Sequence, residues 1–381
     1  MPTAEFNAEN AAGGAASTPS PLPDDVFVID AVTHAYNLSE ANARNKYGLQ
    51  LGELIAGIHA TWNPPELTME PEVFRGDTSI ETVMRTMFEE SQTDVAVHHV
   101  LRLDSWFHDG LCARDKTEEA LRRWPHRVIG YVGVDPLAGP DVYLPDLREQ
   151  VEAMPSAVGL KLYPHGVDPY RRWRADDPEI LELFAAAQEL GLKSVAIHKA
   201  VPNGAVPMDP YKVDDIDIAA DAFPDMTFEI VHSGMAFLDE TAWAIGRYPN
   251  VYANLEITTS LLQHAPGWFE EILAQLIFWG GPQKVLWATG CILTHPQALL
   301  ERFWALEFSE ATLHKFGIPQ LTEDDKRAIL GLNYAGLVGF DIETARAQHR
   351  HDEFALARSV DGLKPPFSTW RETVAQEAAA R

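Results

Sequence analysis

Four side chains of this sequence fall where catalysis is usually built in an alternating strand and helix chain. His34 closes the run IDAVTH, His198 closes AIH, His232 ends EIVH, and Glu256 ends NVYANLE. Each lies at the C-terminal tip of an apolar, β-branched stretch. Side chains alternate along a strand, so parity tests each candidate. Asp30, Val32 and His34 share one face, as do Lys161 and Tyr163 in GLKLYPH, and Asn254 and Glu256 in the seventh run. A lone strand-end histidine is as often a satisfied structural group as a functional one. Three histidines and a carboxylate at equivalent heights point instead to a site, either a metal centre or an acid–base cluster.

Those residues require a scaffold that brings strand ends together. The predicted strands are Val26–Asp30, Asp94–Leu101, Val128–Val134, Ala157–Tyr163, Ser194–His198, Thr227–His232, Val251–Glu256 and Lys284–Thr289. Their nearly continuous apolar character suits parallel strands buried on both faces. Helical patterns follow each one, at 80–91, 116–123, 144–153, 178–190, 214–222, 239–247, 268–279 and 296–306. Asp177-Pro178 supplies a cap followed by a first-turn proline, and Gly191 ends the same helix. Eight such units predict an α/β chain folded as a (β/α)8 TIM barrel, over residues 24–350. A doubly wound sheet is the alternative, but it would bring a glycine-rich phosphate turn after an early strand, and none is present. Residues 35–79, with Trp62-Asn63-Pro64-Pro65, form a cap insertion after strand 1 that falls at the catalytic mouth. Residues 321–350 read as extra C-terminal helices, 351–381 as an arm, and 1–23 as a disordered or extended tail.

Composition narrows the function. Among 381 residues, 30 Lys+Arg face 56 Asp+Glu, a formal charge of −26. No basic stripe offsets it, which argues against nucleic acid as a partner. Two cysteines, Cys112 and Cys291, exclude a disulfide scaffold. No apolar run is long enough to cross a membrane, and the first basic residue, Arg44, comes too late for a signal peptide. The expectation is a cytoplasmic enzyme acting on a small molecule, assembled as a homodimer, the commonest closed symmetry.

The remaining polar residues take blander readings. Lys161 is expected to pair with Glu256 or Asp135, since a buried ammonium needs a partner, or to clamp a substrate carboxylate or bridge metals in carboxylated form. His98-His99 and His108-Asp109 read as solvated loops that could line the pocket, and His126, His264, His314, His349 and His351 as surface. Cys291 lies beside the pocket with no histidine placed to activate it. Trp62, Trp106, Trp287 and Tyr163 read as core or barrel plug, or as walls for an aromatic or apolar ligand.

From Val26 to Asp341 the sequence resembles the amidohydrolase superfamily, in the branch that includes aminocarboxymuconate-semialdehyde decarboxylase. The resemblance rests on IDAVTH (29–34), GLKLYP (159–164), DDPEILELFAAAQELGL (176–192), AIH (196–198), IVHSG (230–234), RYPNVYANLE (247–256) and ILGLNYAGLVGFD (329–341). It implies a metal set of an HxH pair on strand 1, a histidine on strand 5 and an aspartate on strand 8, with the strand-6 histidine as acid or base. His34 matches the second histidine of the pair, His198 the strand-5 ligand and His232 the strand-6 residue. Val32 replaces the first histidine, and Gly290, in WATG, replaces the aspartate.

Three readings follow. The first is a rebuilt site in which His34, His198, His232 and Glu256 hold one divalent ion, zinc with manganese or iron as alternatives. Metal-activated water would then hydrolyse an amide, ester or related carbonyl of a small apolar or aromatic molecule. His232 or Glu256 would shuttle the proton, and Lys161 or Tyr163 would stabilise the oxyanion. The different-class enzyme alternative is non-oxidative decarboxylation of an aromatic or unsaturated acid. The second reading is metal-free acid–base chemistry by the histidines with Lys161 or Glu256, and the third is a non-catalytic ligand-binding barrel.

Overall fold

The computed structural model describes residues 21–379, so residues 1–20 of the predicted tail lie outside the described residues. Eight parallel strands form the barrel: β1 (Ile29–Thr33), β2 (Val95–His99), β3 (Val128–Gly133), β4 (Ala157–Leu162), β5 (Ser194–His198), β6 (Thr227–Val231), β7 (Val251–Asn254) and β8 (Val285–Leu286). They pair in sequence order. The last gap is bridged where Ala31 N donates to Trp287 O (2.9 Å), His34 N to Cys291 O (2.8 Å) and Gly290 N to Val32 O (3.1 Å). The right-handed crossovers that parallel strands require are supplied by intervening helices. The longer ones are α1 (Lys46–Trp62), α2 (Ile80–Glu89), α3 (Arg114–Arg123), α4 (Pro140–Ala153), α5 (Pro178–Glu189), α6 (Ile216–Ala222), α7 (Leu238–Arg247), α8 (Pro266–Gly280) and α9 (Pro296–Trp304).

The TIM barrel expected from the alternation is therefore the fold, with two local shifts. The first strand begins at Ile29 rather than Val26, because Val28 N is held by the Asp94 carboxylate (2.9 Å) below the sheet. The eighth is short because residues 287–291 continue along β1 through isolated bonds.

Residues 35–79 are a cap whose main element is α1. Asn45 caps it by accepting from Tyr47 N and Gly48 N, and Asn45 Nδ2 donates to Ser105 O (2.7 Å). Gly48 lets the helix lie against the loop after β2: a Cβ there would come within 2.3 Å of Trp106 O. At the other end, His59 Nδ1 donates to Leu293 O (2.8 Å) and Asn63 Nδ2 to the same carbonyl (3.0 Å). The cap is thus pinned at both ends to loops that follow barrel strands.

At the opposite mouth, α10 (Asn333–Val338) and α11 (Ile342–His349) cover the barrel bottom, with Tyr334 donating to Tyr131 inside it (3.0 Å). His349, expected at the surface, is buried there against Phe27 with its Nε2 donating to His126 O (2.8 Å). The C-terminal arm packs on the barrel through α12 (Glu353–Asp361) and α13 (Ser368–Ala379). Its latch is Glu90, fully buried after α2. Glu90 accepts from Phe367 N (2.6 Å), Thr369 N (2.8 Å), the Thr369 hydroxyl and His295 Nε2 (3.0 Å).

Removing that carboxylate strands every one of those donors. Glu90→Ala is expected to lower the unfolding free energy by about 3–5 kcal/mol in urea titrations. A loss below about 1 kcal/mol, the size of an exposed ion pair, would mean the arm is held by other contacts.

Candidate functional site

Four strands deliver one candidate side chain each to the barrel's upper end, all buried: His34 after β1, His198 at the end of β5, His232 after β6 and Glu256 after β7. Lys161 rises from β4, and Tyr163 follows that strand. The predicted alternation holds for Lys161, His198 and Glu256, whereas His34 follows a register shift in β1 and His232, next to the interior Val231, is turned inward by its positive φ.

A polar crossbar below the site keeps these strands in step. Glu229 of β6 accepts from Tyr131 of β3, from Ser194 of β5 (2.7 Å) and from Asn254 of β7 (2.7 Å). Asn254 Oδ1 in turn accepts from Glu256 N (3.1 Å), tying the crossbar to the site carboxylate. Glu229 and its role were not legible in the sequence. The loop after β5 is set by the buried ion pair of Lys199 with Asp215 (2.8 Å). Non-glycine residues take left-handed backbone at Ala200 (φ 66°), His232 (φ 62°) and Ile257 (φ 59°), all beside functional side chains. Such conformations cost about 1–3 kcal/mol each and persist where the surroundings impose them.

Glu256 is the hub. Its Oε1 lies 2.9 Å from His34 Nε2, and its Oε2 lies 3.6 Å from His232 Nδ1. Burial alone would raise its pKa, but His232, His34 and Lys161 together hold it well below the ordinary carboxylate value. Gly290 is what makes room for it. At Gly290 (φ 66°) a Cβ would meet Glu256 Cγ at 3.1 Å and Oε1 at 3.2 Å. The Glu256 carboxylate thus fills the space in front of strand 8 where the resemblance would put an aspartate.

His198 and His232 form a directly bonded pair, Nδ1 to Nε2, at 2.9 Å. On the outer sides, His198 Nε2 lies 2.7 Å from Val201 O and His232 Nδ1 lies 3.1 Å from Glu256 O. A carbonyl only accepts, so both outer nitrogens need a hydrogen, and the central contact needs a third. Two neutral imidazoles carry two. Burial pushes both pKa values down, that of His232 to about 4. At neutral pH one of the three contacts is therefore left unsatisfied. One added proton would complete all three, with Glu256 beside it to balance the charge. The pair thus has hydrogen-bonding places for one proton more than two neutral rings carry.

This arrangement differs from the single ligand set expected of His34, His198, His232 and Glu256. One nitrogen of His232 faces Glu256 and the other faces His198, and two nitrogens of one ring cannot ligate one ion. Among the described residues, no group of three His, Cys, Asp or Glu side chains is placed to hold a metal. The side chains as arranged do not fit a four-ligand ion.

Lys161 differs from expectation as well. Its ammonium hydrogen-bonds to neither Glu256 nor Asp135. Among the described residues it is buried without a hydrogen-bond partner and outside the cavity lining, 5.4 Å from the Tyr163 ring centre, and burial lowers its pKa to about 8. It acts through its field rather than by contact. His98 and His99 are not in a solvated loop; both are buried in β2, His99 stacked on Tyr131 at 4.3 Å, while His108 and Asp109 are exposed. Trp106 and Trp287 are core; Trp62 stacks on His264, itself only partly exposed. Burial raises the Cys291 thiol well above its ordinary pKa, which removes it as a nucleophile.

The cavity above the site holds ≈ 60 Å³. Its floor is His34, His198, His232 and Glu256, its sides include Tyr36, Tyr163 and Asn203, and α1 roofs it. Three buried polar atoms of this lining have no hydrogen-bond partner among the described residues: His34 Nδ1, Glu256 Oε2 and Asn203 Nδ2. Neither tyrosine hydroxyl is hydrogen-bonded among the described residues. Tyr36 and Asn203 were not singled out from the sequence. Tyr36 is two residues beyond His34, a parity signal that could have found it, whereas Asn203 sits in a loop.

Residues 59–340 match the sequence pattern of the family described as Amidohydrolase. No curated protein matches the chain. An uncharacterized TIM-barrel protein from Bordetella bronchiseptica is 16% identical over 82% of this chain and 99% of its own, with a TM-score of 0.59. A 5-carboxyvanillate decarboxylase from Novosphingobium aromaticivorans, with bound manganese and a nitrobenzoic acid, is 12% identical. It matches over 83% of this chain and 98% of its own, with a TM-score of 0.53.

The close fit of Glu256 against Gly290 can be measured. Gly290→Ala is expected to cost about 1–3 kcal/mol of stability from its backbone conformation, plus the clash. Adding Glu256→Ala should remove the steric part, so that the two losses sum to more than the double variant shows. Strictly additive losses would contradict the contact.

Proposed function

This chain belongs to the amidohydrolase family, and from that premise we propose that it is a non-oxidative decarboxylase of a small unsaturated or aromatic carboxylic acid. The observation that carries this reading is the imidazole pair, one hydrogen short of its three contacts, set in the floor of a cavity with a hydrocarbon roof. Decarboxylation needs a proton delivered to carbon and a dry, weakly polar surrounding for the departing group. The His198–His232 pair takes a proton from solvent and donates it to the carbon that bears the carboxylate. The bond to the carboxyl carbon then breaks, its electron pair restores the unsaturation, and CO2 leaves: RCO2⁻ + H⁺ → RH + CO2. The fixed charge of Glu256 disfavours an ionised carboxylate beside it and favours neutral CO2. Lys161, below, offsets that repulsion enough for the acid to bind. The free hydroxyls of Tyr36 and Tyr163 supply hydrogen bonds that orient it.

Family membership supports a divalent cation as the cofactor class, and bound manganese in the 5-carboxyvanillate decarboxylase is consistent with that. The paired geometry here does not accommodate an ion through all four side chains, and no step is routed through one. Hydrolysis is the second reading, favoured by Glu256 Oε2, which is buried, unpartnered and able to take a proton from water.

Incubating the protein with a panel of unsaturated and aromatic acids, esters and amides separates the two. The expected product is CO2, with incorporation of one solvent deuterium at the former carboxyl-bearing carbon. Release of alcohol or amine without CO2 would contradict decarboxylation. Because burial lowers the pKa of the donating pair, kcat/KM is expected to fall as pH rises from 5 to 8, and His232→Ala to lose at least about 100-fold in kcat. A rate that rises over that interval would mean the pair acts as a base instead.

A further inference from the structure

The roof of the cavity is one face of a single helix. Leu51, Leu54, Ile55 and Ile58 of α1 line it, at spacings of three, one and three residues that place them on a common stripe. No lysine or arginine is among the lining residues, and every ionisable lining group lies in the floor or sides. Lys161, the cation nearest the site, is beneath the floor and does not reach the roof. The cap is pinned at both ends, by Asn45 on Ser105 and by His59 and Asn63 on Leu293. The helix is therefore held over the floor, and Leu54 and Ile55 are the partly exposed members of its stripe. A cavity of ≈ 60 Å³ has room for a few waters and not for a six-carbon acid. A ligand of that size reaches the roof, so the roof's chemistry bears on what is admitted.

We propose that the Leu51–Leu54–Ile55–Ile58 face of α1 selects the substrate's far end, admitting acids with a single carboxylate and an uncharged hydrocarbon tail and rejecting those with a second charged group. A charge pressed against that stripe would be stripped of water with no donor to replace it. A methyl or phenyl end gains apolar contact there instead. The proposal rests on the decarboxylase reading in one respect, that the ligand is a carboxylic acid.

The test is equilibrium binding by calorimetry, which needs no turnover. The probes are 2,4-hexadienoate and 2,4-hexadienedioate, which differ only in a terminal methyl against a terminal carboxylate. The monoacid is expected to bind at least about tenfold more tightly than the diacid, a difference of about 1.4 kcal/mol. Ile55→Arg, at a partly exposed position where the guanidinium can reach solvent, is expected to narrow or invert that ratio by raising diacid affinity. Equal or tighter diacid binding by the unaltered protein, binding of neither acid, or an unchanged ratio in a folded Ile55→Arg variant would each overturn the proposal. Monoacid selectivity without CO2 release would leave this inference standing and remove the decarboxylase reading. CO2 release from a tightly bound diacid would do the reverse.

Discussion

Glu256 carries a negative charge into a barrel mouth from which solvent is nearly excluded, and a charge in that position persists only among compensating groups. Most features of the upper barrel follow from that requirement. His34 bonds one carboxylate oxygen, His232 stands near the other, and the Lys161 ammonium adds its field from below. Gly290 surrenders its side chain so that the carboxylate has volume to occupy. The left-handed backbone of Ile257 immediately after it, and of His232 across from it, directs both side chains inward. The crossbar centred on Glu229 holds the strands that carry them at a common height.

The same carboxylate gives a physical account of the two positions, Val32 and Gly290, at which the chain departs from the ligand set that its resemblance implies. An aspartate at 290 and a glutamate at 256 would occupy one space. With the carboxylate moved to the neighbouring strand and Val32 in place of a histidine, the groups that remain no longer point at a common centre. They bond to one another, and His232 uses both ring nitrogens in doing so. What results is a chain of close polar contacts, from the Glu256 backbone carbonyl through two imidazoles to Val201 O.

Much of this was legible in the sequence, for a simple reason. A strand repeats every two residues, so a histidine or glutamate at the tip of an apolar run can be assigned a direction, and eight runs in alternation fix the barrel. That is why His34, His198, His232 and Glu256 could be placed at one mouth without coordinates. What the two-residue period cannot carry is what side chains from different strands do to one another. The His198–His232 bond, the isolation of Lys161 and the crossbar at Glu229 depend on distances across the barrel. His98 and His99 were misplaced because polar type suggested solvent, whereas β2 is buried on both faces and bonds them to Thr117 and to Ala31 O. Asn203 was invisible because its loop is positioned by Lys199 and Asp215, not by any local pattern.

We propose that these four side chains, bonded to one another, carry a proton rather than ligate one ion together. That is tested most directly by elemental analysis of the purified protein, combined with calorimetric titration by manganese and by zinc. The expected result is that His34→Gln and His198→Gln leave any metal content and any saturable metal binding unchanged. One tightly held equivalent, lost in both His34→Gln and His198→Gln, would contradict it and make the four side chains a ligand set after all.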